Sequence, residues 1–175
     1  MVSSAKSMNS SKIRTYVKLI ESSKVYDVAQ ITPITKANQL SKALNNEVLL
    51  KREDLQPVFS FKIRGAYNKL AKLKQKGVKG PFIAASAGNH AQGVAFGAKN
   101  LGLKAFIVMP VTTPSIKVNS VKNYGGKVIL HGDNFDEAYQ YAAQLVSKEG
   151  YTFIHPFDDK DAVSYTHLTL PTSHN

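Results

Sequence analysis

The chain contains no cysteine, which excludes disulfide bridges, thiolate catalysis and cysteine-ligated zinc or iron–sulfur centres. It also has no run of about 18 apolar residues, the length that a membrane-spanning helix needs. What is present is an ordinary globular composition, with 43% hydrophobic and 20% charged residues in 175 positions. This length fits one domain, or one domain with a piece of another.

Acidic residues are scarce as well, with 12 Asp+Glu against 23 Lys+Arg and a net charge of +11. The excess is local, because residues 51–79 hold nine basic and two acidic side chains, whereas residues 133–161 hold two basic and seven acidic ones. A basic block can attract a polyanion, but this block has few aromatic side chains that could stack on bases. We therefore expect a solvated helix face here and no nucleic-acid partner.

The first third of the chain gives weaker structural signals. Apolar residues at helical spacing predict a first helix that begins near Ile13. Residues 47–51 (EVLLK) predict a buried strand. Between them, after a turn at Thr32 and Pro33, we expect a helix with an apolar stripe formed by Ala37, Leu40, Ala43 and Leu44.

From Pro81 onward, short apolar runs alternate with amphipathic helices. Helices are expected near Asn89, after a Thr113 cap with Pro114 as first helical residue, and after an Asp133 cap. This alternation predicts an α/β fold, a three-layer arrangement of a parallel sheet with helices on both faces. The predicted strands cover residues 82–85, 105–109, 127–130 and 151–154.

The turn after Ala85 is a candidate site, because ligands of such sheets bind outside the carboxyl ends of the strands. Residues 86–93 (SAGNHAQG) follow that strand, and backbone N–H groups at the start of a helix bind anions. Gly88 would let the backbone approach a ligand, while His90 is expected to be a hydrogen-bonded structural histidine rather than a base. No G-x-G-x-x-G or Walker pattern is present, which disfavours a dinucleotide or a nucleoside triphosphate.

A second candidate is Lys62 in residues 60–65 (SFKIRG), at the start of a predicted helix. Apolar neighbours such as Phe59, Phe61 and Ile63 would lower the amine pKa and favour a neutral nucleophile that could hold a carbonyl cofactor. Taken alone, a solvated surface lysine remains the commoner explanation, since Lys62 is one of 23 basic residues.

Two other polar groups could carry chemistry. Glu53 and Asp54 could act as acid and base, but we expect a salt bridge to Lys51 or Arg52, or a helix cap. No compact metal-ligand signature is matched by the spacing of His131, His155, Asp158 and Asp159, so a metal is not expected.

Together and in this order, the two motifs are specific. Residues 51–70 (KREDLQPVFSFKIRGAYNKL), 84–110 (AASAGNHAQGVAFGAKNLGLKAFIVMP) and 117–138 (KVNSVKNYGGKVILHGDNFDEA) closely resemble the threonine dehydratases. These belong to the tryptophan synthase β-like family of enzymes that depend on pyridoxal 5'-phosphate. The similarity runs from about residue 25 to residue 163.

The resemblance implies a role for each matching residue. Lys62 matches the lysine that binds pyridoxal phosphate covalently, and Phe61 matches a residue lying against the cofactor ring. Asn89 matches the asparagine that hydrogen-bonds the phenolic oxygen of the cofactor. The loop that grips the substrate carboxylate is matched by Ser86, Ala87, Gly88, Asn89 and His90.

The implied reaction is deamination of L-threonine to 2-oxobutanoate and ammonia, the first step of isoleucine biosynthesis. The cofactor would be the electron sink, and the Lys62 amine would remove the α-proton before the β-hydroxyl leaves. A serine/threonine dehydratase or serine racemase of the same family is the alternative. The alternative of another class is a catalytically inactive, truncated binding domain.

The resemblance also implies boundaries. Residues 1–24 would be an N-terminal extension with the first helix, and residues 25–163 a partial catalytic domain with a small subdomain at about 66–154. Residues 164–175 (SYTHLTLPTSHN) are unlike the family, and no glycine-rich loop for the cofactor phosphate occurs, so the chain is interpreted as an N-terminal fragment.

The expected partner is a small amino-acid substrate, with a homo-oligomer for the full-length protein. The expected compartment is the cytoplasm, and the Ser-rich, weakly basic N-terminus leaves a mitochondrion or plastid as the alternative.

Overall fold

A computed structural model describes residues 10–163, in which helices and short strands alternate. The helices are α1 (Ser10–Glu21), α2 (Asn38–Leu44), α3 (Lys62–Gln75), α4 (Asn89–Asn100), α5 (Ser115–Asn123), α6 (Phe135–Glu149) and α7 (Lys160–Val163). The strands are β1 (Ile34–Lys36), β2 (Leu49–Lys51), β3 (Phe82–Ala85), β4 (Ala105–Met109), β5 (Lys127–Leu130) and β6 (Thr152–Phe153).

Four of the strands form a parallel sheet in the order β5-β4-β3-β6. Ile83 in β3 is aligned with Phe106 in β4 and with Phe153 in β6, and Ile107 is aligned with Val128 in β5. The short apolar runs predicted as strands are these four strands, which confirms the predicted alternation.

Helices cover both faces of this sheet, as a three-layer fold requires. On one face, Leu70 of α3, Val94 of α4 and Val121 of α5 pack against Ile107 of β4 in one buried cluster. On the other face, α6 contributes Ala138, Ala142 and Leu145 to a second cluster. The carboxyl ends of the strands lie between these layers, and there β3 leads directly into α4.

Helices α3 and α4 approach each other closely through a glycine. A Cβ atom at Gly93 would lie 2.9 Å from the carbonyl oxygen of Lys62, so only glycine permits this contact without a shift. The backbone of Lys62 is thereby held against the second turn of α4, and this contact sets the distance between the two sequence motifs.

The predicted burial of residues 47–51 is wrong. Strand β2 covers only Leu49–Lys51 and pairs antiparallel with β1, and Leu49 and Leu50 are 55% and 44% exposed. Helix α2 likewise has no buried residue, so its apolar stripe faces outward. Helix α2 and strand β2 form where the sequence predicts them, but no layer within residues 10–163 covers these elements.

Two predicted helix caps are also wrong. The N-cap of α6 is Asn134 rather than Asp133, and its side chain accepts a hydrogen bond from the Glu137 amide. The N-cap of α5 is Pro114, and the buried Thr113 hydroxyl has no hydrogen-bond partner among the described residues. Neighbouring capping residues compete for one position, and the sequence does not reveal which of them takes it.

Helix α1 includes the expected start near Ile13. Within residues 10–163 no helix has both the length and the apolar character needed to cross a membrane. The tail at 164–175 lies outside the described residues.

Candidate active site

Lys62 is the first residue of α3, directly after the N-cap residue Phe61. Its amine donates a hydrogen bond of 3.0 Å to the carbonyl oxygen of Pro156, which follows β6. The side chain is half-buried, and this burial lowers the pKa of the amine. A lowered pKa increases the neutral fraction of the amine, which is the nucleophilic form.

The enclosed space beside this amine is small. Lys62, Gly65, His90, Pro156 and Ala162 line a cavity of about 10 Å³, which is the room of a single water molecule. The amine would therefore have to leave the Pro156 carbonyl before its nitrogen could attack a carbonyl compound.

The loop between β3 and α4 provides polar groups at the same end of the sheet. The Ser86 hydroxyl accepts a hydrogen bond of 3.2 Å from the Gly88 amide, which shapes the turn. Apart from the neighbouring residues of the loop, no atom of the described chain lies within 4 Å of the position that a Cβ at Gly88 would take, so the loop borders open space. Asn89 begins α4 with an exposed side chain, where the first amides of the helix favour an anion.

His90 is buried directly behind this loop. Its Nε2 donates a hydrogen bond of 2.9 Å to the carbonyl oxygen of Ile154, so it joins the start of α4 to β6. Burial, together with the positive charge of Lys62 and the nearby His155, lowers the pKa of His90 to about 4 despite that hydrogen bond. The predicted structural role of His90 agrees with this geometry, because a histidine with this pKa is neutral near pH 7.

Acid should weaken the fold through His90. In the unfolded chain the imidazole binds a proton near pH 6.5, whereas in the folded chain it does so only near pH 4, so stability is full above pH 6.5 and is lost as the pH falls. We expect the free energy of unfolding to drop by about 2 kcal/mol between pH 7.5 and pH 5.

Urea unfolding at the two pH values measures this drop. The carboxylates with lowered pKa values, Glu53, Asp54 and Asp161, titrate below this window. The variant His90→Gln keeps a donor for Ile154 and should show a much smaller drop; an equal drop in the variant would assign the effect to other groups.

The chain segment after β6 is fastened to α3. Lys69 lies 2.6 Å from an oxygen of Asp159, and Lys72 lies 2.9 Å from an oxygen of Asp161. The Asn68 amide donates to the Asp161 carbonyl at 2.8 Å. These contacts hold Pro156 and its carbonyl over the Lys62 amine.

Glu53 has a partner that the sequence analysis did not predict. Its carboxylate accepts hydrogen bonds of 2.7 and 2.9 Å from Arg64, and it also accepts one from the Thr32 hydroxyl at 2.6 Å. Burial would raise the pKa of Glu53, but the hydrogen bonds from Arg64, Thr32 and Gln56 outweigh it and lower the pKa. The predicted pairing with Lys51 or Arg52 holds only for Asp54, which binds Arg52.

Arg64, the cation of this buried ion pair, follows Lys62 by two residues on α3. Arg64 also donates to the Gln30 carbonyl at 3.1 Å, and its guanidinium lies 5.4 Å from the centre of the Tyr26 ring. The first turn of α3 is thus tied to two earlier segments of the chain. The sequence does not single out the pair of Glu53 and Arg64, because the basic block offers many other possible charge pairs.

His131 and His155, two of the side chains considered as metal ligands, make other contacts. The His131 ring stacks on Tyr141 with centroids 4.0 Å apart, and His155 Nδ1 accepts a hydrogen bond of 2.8 Å from the Asp158 amide. Within residues 10–163, no group of three or more His, Cys, Asp or Glu side chains could hold a metal ion.

The structure thus brings Lys62 and His90 to one cavity and places residues 86–88 on the adjoining loop, with Asn89 at the start of α4. A half-buried amine with a lowered pKa suits a carbonyl cofactor, and the open space at Gly88 suits a ligand on the loop. These residues fit pyridoxal phosphate on the side of its reactive carbon. The sequence offers no glycine-rich loop that would fit its phosphate.

Comparison with known proteins gives a family match. The sequence profile of the family described as pyridoxal-phosphate dependent enzyme matches residues 25–170. The chain is 58% identical to a biosynthetic L-threonine dehydratase of Pasteurella multocida over 143 residues, 82% of this chain and 28% of the relative. It is 59% identical to the chloroplastic biosynthetic threonine dehydratase 1 of Solanum lycopersicum over 148 residues, 85% of this chain and 24% of the relative. The chain spans about a quarter of the length of these relatives.

Solved structures give the same grouping. The processed threonine deaminase isoform 2 of Solanum lycopersicum superposes with a TM-score of 0.87 at 44% identity, over 94% of this chain and 45% of that chain. Maize serine racemase superposes with a TM-score of 0.78 at 29% identity, over 87% of this chain and 46% of that chain. The predicted fold with a parallel sheet between helices is confirmed by these neighbours.

Proposed function

The chain belongs to the family of pyridoxal-phosphate-dependent enzymes, and from this premise we propose that it forms the lysine-bearing part of an L-threonine dehydratase. The observation that carries the proposal is the position of the Lys62 amine. This amine is half-buried, has a lowered pKa and lies beside the loop that precedes α4. The relatives that are 50–59% identical to the chain support L-threonine as the substrate.

In the proposed reaction, L-threonine loses its Cα proton and its β-hydroxyl, and addition of water then gives 2-oxobutanoate and ammonia. When bound, pyridoxal phosphate supplies the electron sink for the pair left at Cα. The Lys62 Nζ takes the Cα proton, for which its lowered pKa is suited because the nitrogen must start unprotonated.

The loop between β3 and α4 holds the reactants in place. The Asn89 side chain, exposed at the start of α4, would donate a hydrogen bond to the cofactor. Ser86, Ala87, Gly88 and His90 would bind the substrate carboxylate through their backbone amides and the Ser86 hydroxyl, at a helix end that favours negative charge, while the buried His90 imidazole stays bonded to Ile154. Phe61 would lie against the cofactor ring, as its position beside Lys62 allows.

A serine/threonine dehydratase or serine racemase is the second candidate function. It is favoured by the superposition on maize serine racemase, which extends over most of the described chain. In both reactions the Cα proton is removed, so Lys62 would have the same role.

The proposal is tested with the purified 175-residue chain, pyridoxal phosphate and three substrates: L-threonine, D-threonine and L-serine. We expect 2-oxobutanoate and ammonia in equal amounts from L-threonine, formed faster than with free cofactor alone. D-Threonine is the control, because as the enantiomer it carries the same groups with the opposite configuration at Cα and Cβ, so its Cα proton lies on the other side.

Two outcomes would overturn the proposal. Appearance of D-serine from L-serine, with no 2-oxobutanoate formed from L-threonine and no pyruvate from L-serine, would favour the racemase. No product from any substrate would favour the catalytically inactive binding domain, provided that Lys62 still captures the cofactor.

The oligomeric state, the domain boundaries and the compartment are proposed as well. We propose a homo-oligomer for the whole protein, with residues 25–163 as part of its catalytic domain and 66–154 as a small subdomain. The cytoplasm is the proposed compartment. A plastid or mitochondrion is the alternative, since relatives in tomato and fission yeast are named chloroplastic and mitochondrial.

A further inference from the structure

A second concave site lies at the opposite edge of the parallel sheet, where the strands begin. Three lysines from separate connections meet there: Lys79 two residues before Pro81 and β3, Lys104 just before β4, and Lys127 at the start of β5. Parallel strands all start at the same edge, so the topology brings these distant residues together. They line one cavity of about 480 Å³, which is within the usual range for small-molecule sites.

The cavity concentrates positive charge without a counter-charge. No Asp or Glu is among its lining residues. The ion pairs seen among the described side chains involve Lys36, Arg52, Arg64, Lys69 and Lys72, and none of these pairs involves the three lysines of the cavity. Three ammonium groups around one concavity repel one another, and an anion bound between them would remove that repulsion.

The rest of the lining suits a compact ligand. The Lys127 ammonium lies 5.4 Å from the centre of the Phe106 ring, which orients it at the cavity. The Phe106 ring is itself fixed by an edge-on contact with Tyr151 at 5.2 Å. Gly102 leaves open space where a side chain would stand, so the backbone is accessible.

We propose that this cavity binds a small, multiply phosphorylated molecule, with its phosphate groups on Lys79, Lys104 and Lys127. Lysine is a point charge that binds phosphate oxygens well, and several phosphates on one molecule match several lysines in one concavity. The site is independent of the Lys62 region, because the two lie at opposite edges of the sheet.

The test is calorimetric titration of the 175-residue chain with inorganic pyrophosphate at low salt. The double variant Lys104→Gln/Lys127→Gln should bind at least about tenfold more weakly, because it loses two charge-assisted contacts. The matched control is Lys117→Gln/Lys122→Gln, which removes the same charge from exposed positions on α5 and should change the affinity less than about twofold.

Further arms separate the possible sources of binding. Lys62→Ala should bind pyrophosphate like the parent chain, which distinguishes this site from the proposed cofactor site. Equal weakening in the two double variants would overturn the proposal in favour of diffuse net charge. Binding of a single-stranded oligonucleotide without binding of pyrophosphate would overturn it in favour of a nucleic-acid surface. Should the double variant not fold, judged by circular dichroism, each single variant is titrated instead.

Discussion

With Lys62 replaced by alanine, the protein is expected to keep its fold and to lose covalent capture of pyridoxal phosphate. The side chain is only half-buried and its amine makes one hydrogen bond, to Pro156, so its loss should be tolerated structurally. The measurement is borohydride reduction of the chain with the cofactor, followed by peptide mass mapping. In the parent chain, the label should lie on the peptide that contains Lys62.

The pH dependence of this labelling gives a second readout. Because burial lowers the pKa of the Lys62 amine, its neutral form is present at lower pH than that of an unperturbed lysine. Labelling of Lys62 should therefore begin at lower pH than labelling elsewhere in the chain. The matched control is Lys74→Ala at an exposed position on the same helix, which should retain the label. Equal labelling of the parent chain and Lys62→Ala would show that capture is unspecific.

Removal of the Glu53 carboxylate by Glu53→Ala is expected to have the largest effect on stability. Arg64 is 3% exposed and Glu53 15% exposed, and their two hydrogen bonds leave little room for water. The variant would leave the guanidinium buried without its counter-charge, which costs about 3–5 kcal/mol. The measurement is the free energy of unfolding in urea at pH 7.

A neighbouring ion pair serves as the control. Asp54 binds Arg52 through hydrogen bonds of similar length, but these side chains are much more exposed, Arg52 at 35% and Asp54 at 57%. Asp54→Ala should therefore change stability little, since water replaces an exposed partner. If both variants lost the same stability, the buried position of Glu53 would not be the cause.

The sequence was sufficient for the main sheet and its helices. Each strand from β3 to β5 is a short apolar run next to an amphipathic helix. These local patterns predict burial correctly because helices cover both faces of the sheet. Burial of β2 and α2 could not be predicted in the same way. Leu49 and Leu50 are apolar enough for a core, and only the absence of a covering layer within residues 10–163 leaves them exposed.

The candidate site likewise contains residues that local sequence patterns predict and residues that they do not predict. Lys62 and residues 86–90 were found because each motif is contiguous, and the resemblance joined them. The Arg64–Glu53 pair and the cavity of Lys79, Lys104 and Lys127 were missed because their members are distant in sequence and lie in a chain rich in lysine. Which charges meet is decided by strand order and helix contact, and neither is visible in local spacing.

The hydrogen bond between Lys62 and Pro156 spans 94 positions of the chain, which has a consequence for biosynthesis. At about 5–20 residues per second, a ribosome needs about 5–20 s to pass from one residue to the other. During this interval α3 can form and meet α4, but β6 and the Pro156 carbonyl do not yet exist. For these seconds the Lys62 amine of every nascent chain is therefore accessible to reactive aldehydes of the cell. Only later is it enclosed in a cavity the size of one water molecule.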